Sequence, residues 1–369
     1  MATSVTHNAR TERTVLQHAF NGAWEAVQNH RPTFMALKKR GHIEKGVAGK
    51  RLDWTVRVGR NTIEAYDDLQ ALSFDRKNHY ILAQLPWATL AMKGAISRDE
   101  IAMASGPEAM EKLHKRMISD MTEDFETRIN YQFLRQDGAA TGAGNVLHGI
   151  PTFIAGSAAS ASAKKGTMSD TYATHSTAES GLTGVDDAEA DAWTPKGTHA
   201  DATDFTEGGG FNADDAEEIM QYTIDSVTLG SMAKDKPDLA ILCKNHLTTL
   251  KTAVSAQQRG MVSGTPTGTQ GLGIPGALEY SGLECVFDAD MEDGKSYVLN
   301  FNHIYMELLP VPEIAEGYGG VPGGGKSGKT EYFEVLVDGD IHTNGILARV
   351  NFRGQLRFHP RYQAIISNF

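Results

Sequence analysis

Long apolar runs are missing from this 369-residue chain. No stretch approaches the roughly 18 residues that read as a membrane span, and the opening MATSVTHNARTERT lacks the apolar core of an export signal. Cysteine is nearly absent. Cys243 and Cys285 are the only two, both in apolar, strand-like segments, which excludes a disulfide framework and reads as buried free thiols. Positive charge is in deficit, with 35 Lys and Arg against 46 Asp and Glu and a net charge of −11. That balance argues against a dedicated DNA-binding protein. The 13 histidines include no His-x-x-x-His pair, and no serine sits in the glycine frame of a nucleophile elbow.

What is present is ordinary in amount and uneven in distribution. Hydrophobic residues make up 40% and charged residues 22%, the composition of a globular chain long enough for two or three domains. Residues 1–60 hold eleven Lys and Arg against four Asp and Glu, a balance of +7. Residues 160–220 hold three against thirteen, a balance of −10. Such asymmetry fits two solvated surfaces, and equally a basic arm that meets polyanions or acidic neighbours.

Along the chain, Leu16, Phe20, Ala23, Trp24 and Val27 recur at helical spacing and predict a helix over 12–29. From Leu52 the period becomes two: Leu52, Trp54, Val56 and Val58 alternate with polar residues. A polar stretch follows, then ILAQLPWATLAMKG (81–94), so 51–96 reads as a two-stranded excursion with a charged tip. An isolated hairpin is marginal in water, so this one has to lean on something. Ser97 with Glu100, and Ser105 with Glu108, are capping boxes. Met110, Leu113, Met117, Met121, Phe125, Ile129 and Phe133 then mark one long helix ending at Asp137-Gly138. Residues 157–212, rich in Ala, Ser, Thr, Gly and Asp, read as a surface excursion or linker. Mixed helices and strands follow from Asn212, and strands close the chain. The order implies an α+β fold.

Three motifs suggest chemistry. Gly323–Thr330 matches the phosphate-binding pattern G-x-x-x-x-G-K-T. That pattern needs a helix beginning at the Lys-Thr pair, and EYFEVLVD (331–338) is β-rich instead, so a glycine turn is expected. The segment Asp288–Gly294 resembles a calcium loop, but its glycine falls one position late and Leu299 stands where the last acidic ligand belongs. A hairpin turn is expected there. His199, Asp201 and Asp204 lie in the low-complexity stretch and read as a solvated loop. No catalytic, cofactor-binding or metal-binding residue is assigned, and no enzymatic activity is expected.

Several strings, taken in order, resemble tailed-bacteriophage major capsid proteins of the Hong Kong 97-type fold. LSFDRKNHYILAQLPWATLAMKGAISRDEI (72–101) is similar to that family's extended loop, and PEAMEKLHKRMISDMTEDFETRINYQFLRQDG (107–138) to its spine helix. GAGNVLHGIPTFI (142–154) is similar to the turn and strand after that helix. DTYATHST with Trp193 resembles the peripheral domain, as does LARVNFRGQLRFHPRYQAIISN (347–368). PDLAILCKNHLTTLKTAV (237–254) and GLECVFDADMEDGKSYVLNFNHIYM (282–306) resemble the axial domain. The resemblance implies an N-terminal arm (1–50) and an extended β-hairpin loop (51–98). It implies a peripheral domain from 99–212 and 326–369, with a spine helix over about 105–137, and an axial domain over 213–325. It further implies a shell subunit without cofactors, which builds the hexamers and pentamers of an icosahedral head around double-stranded DNA. The implied partners are further copies, a portal protein, a separate scaffolding protein and a decoration protein. The implied place is the virion, assembled in the bacterial host cytoplasm. An encapsulin-like compartment, and a nucleotide hydrolase using Gly323–Thr330, are the alternatives.

Overall fold

The computed structural model describes residues 2–45, 49–61, 77–103, 107–137, 146–154, 156–158, 165–168, 171–178, 182, 185–186, 192–205, 209–228, 236–257, 278–309, 333–338 and 345–367. Helix α1 (Ala2–His30) is followed at once by α2 (Pro32–Arg40), whose proline sits in the first turn, where its missing N–H is no loss. Gly41, at φ 71°, closes α2 in the left-handed conformation, and its N–H reaches back to the last turn. The predicted apolar stripe is real: Leu16, Phe20, Ala23, Trp24 and Val27 are all buried. They do not wait for another chain. Phe20 meets Phe125 edge-on at 6.0 Å, Trp24 lies 5.3 Å from Phe352, and Phe34 lies 5.6 Å from Phe133. What reads in sequence as a free arm is, from Val15 to Arg40, docked on its own subunit.

After β1 (Ile43–Lys45) come β2 (Leu52–Arg57), β3 (Tyr80–Leu85) and β4 (Ala88–Ser97). Helix α3 (Arg98–Met103) starts at the predicted capping box. Ser97 Oγ accepts from the Glu100 N–H, and the Glu100 carboxylate accepts from the Ser97 N–H. The spine is α4 (Pro107–Arg135), 29 residues and therefore about 43 Å long. Met121, Phe125, Ile129 and Phe133 form its buried edge. It lies against β4, and a Cβ at Gly94 would stand 2.5 Å from the Met121 sulfur, so a larger residue there would make the Met117 and Met121 side chains move.

Short strands β5 (Gly156–Ala158), β6 (Gly166–Met168), β7 (Thr171–Tyr172) and β8 (His175–Ser176) follow, then β9 (Lys196–His199). Next come α5 (Ala216–Val227), β10 (Leu239–Leu242), α6 (Lys244–Gln257), β11 (Leu278–Tyr280), β12 (Leu283–Phe287), β13 (Lys295–Leu299) and β14 (Ile304–Leu308). The last strands are β15 (Phe333–Asp338), β16 (Gly345–Phe358) and β17 (Ala364–Ser367).

Two sheets organise these elements. In the five-stranded sheet, β16 pairs with β4, β14 and β15, and β1 joins alongside β14. Pleating sends Ala348, Val350, Phe352 and their partners Leu90 and Met92 toward α1 and α4. On the other face Thr89, Ala91, Lys93 and Ala95 are exposed, while Asn351 and Gln355 are buried. The six-stranded sheet runs β11-β12-β10-β13-β17-β9. Here both faces are covered, which explains the unbroken apolar reading of LAIL. Leu239, Ile241, Tyr297, Leu299 and Ile365 join the core shared with the spine. Ala240, Leu242, Val298, Ala364 and Ile366 join a second core under α5 and α6. Strands β9 and β17 thus stand in one sheet with residues of 239–299, across the divisions expected at 212/213 and 325/326.

The 157–212 stretch also departs from expectation. Tyr172, Trp193 and Phe205 are almost fully buried, and residues 192–200 are buried throughout. Tyr172 stacks on Trp193 at 6.1 Å and donates its hydroxyl to the Leu356 carbonyl. Its described parts are core and packing surface, not linker.

Candidate assembly surfaces

Strands β2 and β3 form the predicted hairpin, in the register Leu52↔Leu85 through Arg57↔Tyr80. Its inner face holds Leu52, Val56, Ile81, Ala83 and Leu85, all buried, with Trp54 6.4 Å from Tyr172. The outer face carries Asp53, Thr55 and Arg57 beside Tyr80 and Leu82. Tyr80 is 54% and Leu82 51% exposed. Leu82 therefore points away from Leu85. The return arm also ends sooner than expected. Pro86 interrupts it, and residues 88–97 leave the hairpin to pair along β16. Gln355 fixes this corner, its amide donating to the Pro86 and Val146 carbonyls.

The surface on which the hairpin leans belongs to its own chain. The Gln84 N–H donates to the Ala173 carbonyl, and His175 Nε2 lies 3.0 Å from the Leu82 carbonyl. At the neck, the Asn78 N–H donates to the Asp186 carboxylate, and the Asp186 N–H returns a bond to the Asn78 carbonyl. Beyond the neck, tip residues Asp67, Asp68, Asp75 and Arg76 lie outside the described residues.

The calcium-like segment is a turn clamped by polar side chains. Asn130, on α4, donates to both oxygens of Asp288 at 3.1 Å and to Asp290 Oδ2 at 2.6 Å. Arg31, between α1 and α2, approaches Asp290 at 3.4 Å, and Thr33 donates to the Asn130 amide oxygen. Arg135 donates to the Asp290 and Met291 carbonyls. Burial pushes the Asp288 carboxyl up from its ordinary range. These carboxylates tie three elements together through Asn130 and Arg31. Only the lone amide at Asn130 in an apolar helical stripe hinted at this joint. His199 lies buried in β9, and among the described residues no group of three His, Cys, Asp or Glu could hold a metal. Gly323–Thr330 lies outside the described residues; the chain after it forms strand β15 from Phe333.

The chain passes between the two sheets twice near one point. From β13 to β14 it runs through His303, and from β16 to β17 through His359. The His359 N–H donates to the His303 carbonyl, and Asn300 and Gln363 bond reciprocally across the two passages. His303 stacks on Tyr362 at 3.7 Å, and His359 lies 5.3 Å from Trp193. Burial, with His303 and Arg361 nearby, holds His359 down to about 3. Burial also holds His246 down to about 4; its Nδ1 meets Ser296 Oγ at 2.7 Å.

Both histidines bind protons more readily once unfolded. Their stabilisation is complete above the unfolded value of about 6.5 and is lost as pH falls from there toward 4, by roughly 1.4 kcal/mol per pH unit each. The buried carboxyls of Asp238, Asp288 and Glu307, raised by burial, act in the opposite sense. Denaturant unfolding of wild type and a His359→Phe, His246→Gln variant isolates the histidines. The difference between the two proteins should shrink from pH 7 to pH 5 by about 4 kcal/mol, and a difference independent of pH would contradict the assignment.

No protein-family model matches the chain, and no curated protein does. Solved structures do. The cyanophage A-1(L) capsid subunit superposes with a TM-score of 0.56 at 14% identity, over 89% of this chain and 90% of that one. The capsid of the native GTA particle gives 0.51 at 13% identity, over 90% of each chain. The likeness covers about nine-tenths of each chain: the chain has the Hong Kong 97-type fold of tailed-phage capsid proteins.

Proposed function

We propose that the chain is the major capsid protein of a tailed phage. In this reading it self-assembles into the hexamers and pentamers of an icosahedral head around double-stranded DNA. It acts in the virion after assembly in the host cytoplasm, with a portal, a separate scaffolding protein and a decoration protein as partners, and performs no catalysis. The observation that carries this is the two-faced hairpin within the capsid fold. Its inner face is satisfied at home, while its outer face presents Tyr80 and Leu82 to whatever lies beside the subunit. An edge strand with paired apolar side chains left open is a standing invitation to association.

Negative-stain microscopy of the purified protein, expressed alone and with the products of neighbouring genes, tests the proposal. Closed shells of uniform diameter enclosing nuclease-protected DNA are expected. Shells filled with protein cargo and free of DNA would replace this reading with an encapsulin-like one. Monomers under every condition would end both.

A further inference from the structure

We propose that strand β2 pairs edge to edge with β2 of a second copy of this chain, antiparallel and centred on Thr55; this rests on the shell reading above. The backbone sets up the pairing. On β3, the Gln84 N–H leaves the hairpin for the Ala173 carbonyl, and the Leu82 carbonyl meets His175. In an antiparallel ladder, residues that turn their peptide groups outward stand opposite residues that do the same. Here those opposite residues are Asp53 and Thr55. The Val58 N–H, in contrast, donates inward to the His79 carbonyl, so the even positions of β2 face β3. The N–H and C=O groups of Asp53, Thr55 and Arg57 therefore point off the free edge of β2. This sheet has two strands, and among the described residues no backbone group meets those three. All three side chains are exposed. An open edge of this kind is a template for another strand.

Charge selects the occupant and the register. A two-fold axis at Thr55 sets Asp53 opposite Arg57 of the copy, Thr55 opposite Thr55, and Arg57 opposite Asp53. The contact is isologous, so the charge pair occurs twice. Opposite charges and paired threonines both stabilise a ladder when they stand directly across it. Sliding the copies by two residues destroys the match: one direction sets Arg57 against Arg51, the other sets Asp53 against Gly59 and Arg57 against Thr55. An axis at Asp53 or at Arg57 opposes like charges. Within the subunit neither group is ion-paired among the described residues; Arg57 Nε donates to the Gly59 carbonyl at 3.1 Å, which leaves its terminal amino groups for a carboxylate. On the inner face the half-buried Trp54 meets Val56 of the copy in this register. The match runs from Leu52 to Val58, and Lys50 and Arg60, which would repel, lie beyond it. Rings of subunits close through heterologous contacts, so an isologous pairing joins subunits of different rings.

The test is disulfide trapping in the full-length protein, where Cys243 and Cys285 are buried and give no background. Thr55→Cys should form a covalent dimer under mild oxidation, because directly opposed Cα atoms in such a pair lie about 5.5 Å apart. Asp53→Cys should not, since the two copies of residue 53 stand about 14 Å apart in this register, beyond disulfide reach. Charge reversal reads the same contact. Asp53→Arg or Arg57→Asp alone should weaken trapping through Thr55→Cys about tenfold, and the two together should restore it. These side chains are exposed, so unfolding midpoints should match wild type. Microscopy of the same proteins separates the two readings. Wild-type shells in which Thr55→Cys stays unlinked would overturn this inference alone. A trapped dimer from protein that never closes shells would uphold the pairing and overturn the shell reading. Equal trapping through residues 53 and 55 would mean collision without register, and a loss that the charge swap does not repair would mean that another strand occupies the edge. Either result overturns the proposal.

Discussion

Replacing Trp24 with alanine should destabilise the folded subunit by about 3–5 kcal/mol, the range for removing a large aromatic from a packed core. Trp24 is 3% exposed and touches three rings from three parts of the chain: Phe34 at 5.8 Å, Phe125 at 6.3 Å and Phe352 at 5.3 Å. It is therefore where the N-terminal helices, the spine and the central sheet share one contact. The loss should appear in denaturant unfolding as a lower midpoint. In hydrogen exchange, it should appear as faster exchange in α4 as well as in α1, because the spine loses its cover on that side. Trp24→Phe should recover more than half of the loss. If exchange quickened in α1 alone, α1 would be an appendage whose removal the spine does not feel. The same packing bears on deletion of residues 2–30. Such a deletion strips Leu16, Phe20, Ala23, Trp24 and Val27 from the core, so it should yield poorly folded protein and not a soluble subunit with an assembly defect.

The elements were largely legible because they are written locally. Period-four spacing from Met121 to Phe133 marks the spine, and alternation from Leu52 to Val58 marks one arm of the hairpin. The Ser97–Glu100 capping box placed the start of α3 correctly. What was not legible depends on which residues meet across long separations. ILAQL is apolar at both parities, so only the register with β2 decides that Ile81, Ala83 and Leu85 turn inward and Leu82 outward. Tyr172, Trp193 and Phe205 have no period to betray them, and the small residues around them suggested a linker. Tyr172 and Trp193 are core because β16 and the turn after it pass beside them, and Phe205 because α5 does. The basic N-terminal segment showed its charge clearly, but charge says nothing of where its apolar stripe docks. The clamp of Asn130, Arg31 and Asp290 is polar chemistry drawn from three distant segments, which no window of sequence brings together.

Removing the tip of the hairpin, residues 62–76, and closing the gap with a short Gly-Ser turn should leave a folded subunit that no longer builds closed shells. The cut is set by the neck. The Val58 and Gly59 N–H groups both donate to the His79 carbonyl, and Asn78 holds Asp186, so 58–61 and 77–79 must stay for the hairpin to keep its register. The inner face then remains buried against Tyr172 and Ala173 and the described core keeps every residue, so fold stability should change by less than about 1 kcal/mol. Assembly is another matter. An outer face bearing Tyr80 and Leu82 gives a neighbour apolar area, and the charges beyond the neck give register and specificity more than affinity. A small loss per contact is multiplied over every subunit of a shell. Sedimentation and microscopy should therefore show soluble subunits or open fragments where wild type closes. A second variant, Tyr80→Ser with Leu82→Ser and the tip intact, should lower the yield of shells at the same unfolding midpoint. Closed particles of normal diameter and stability from the tipless chain would mean that the hairpin ends its work inside its own subunit.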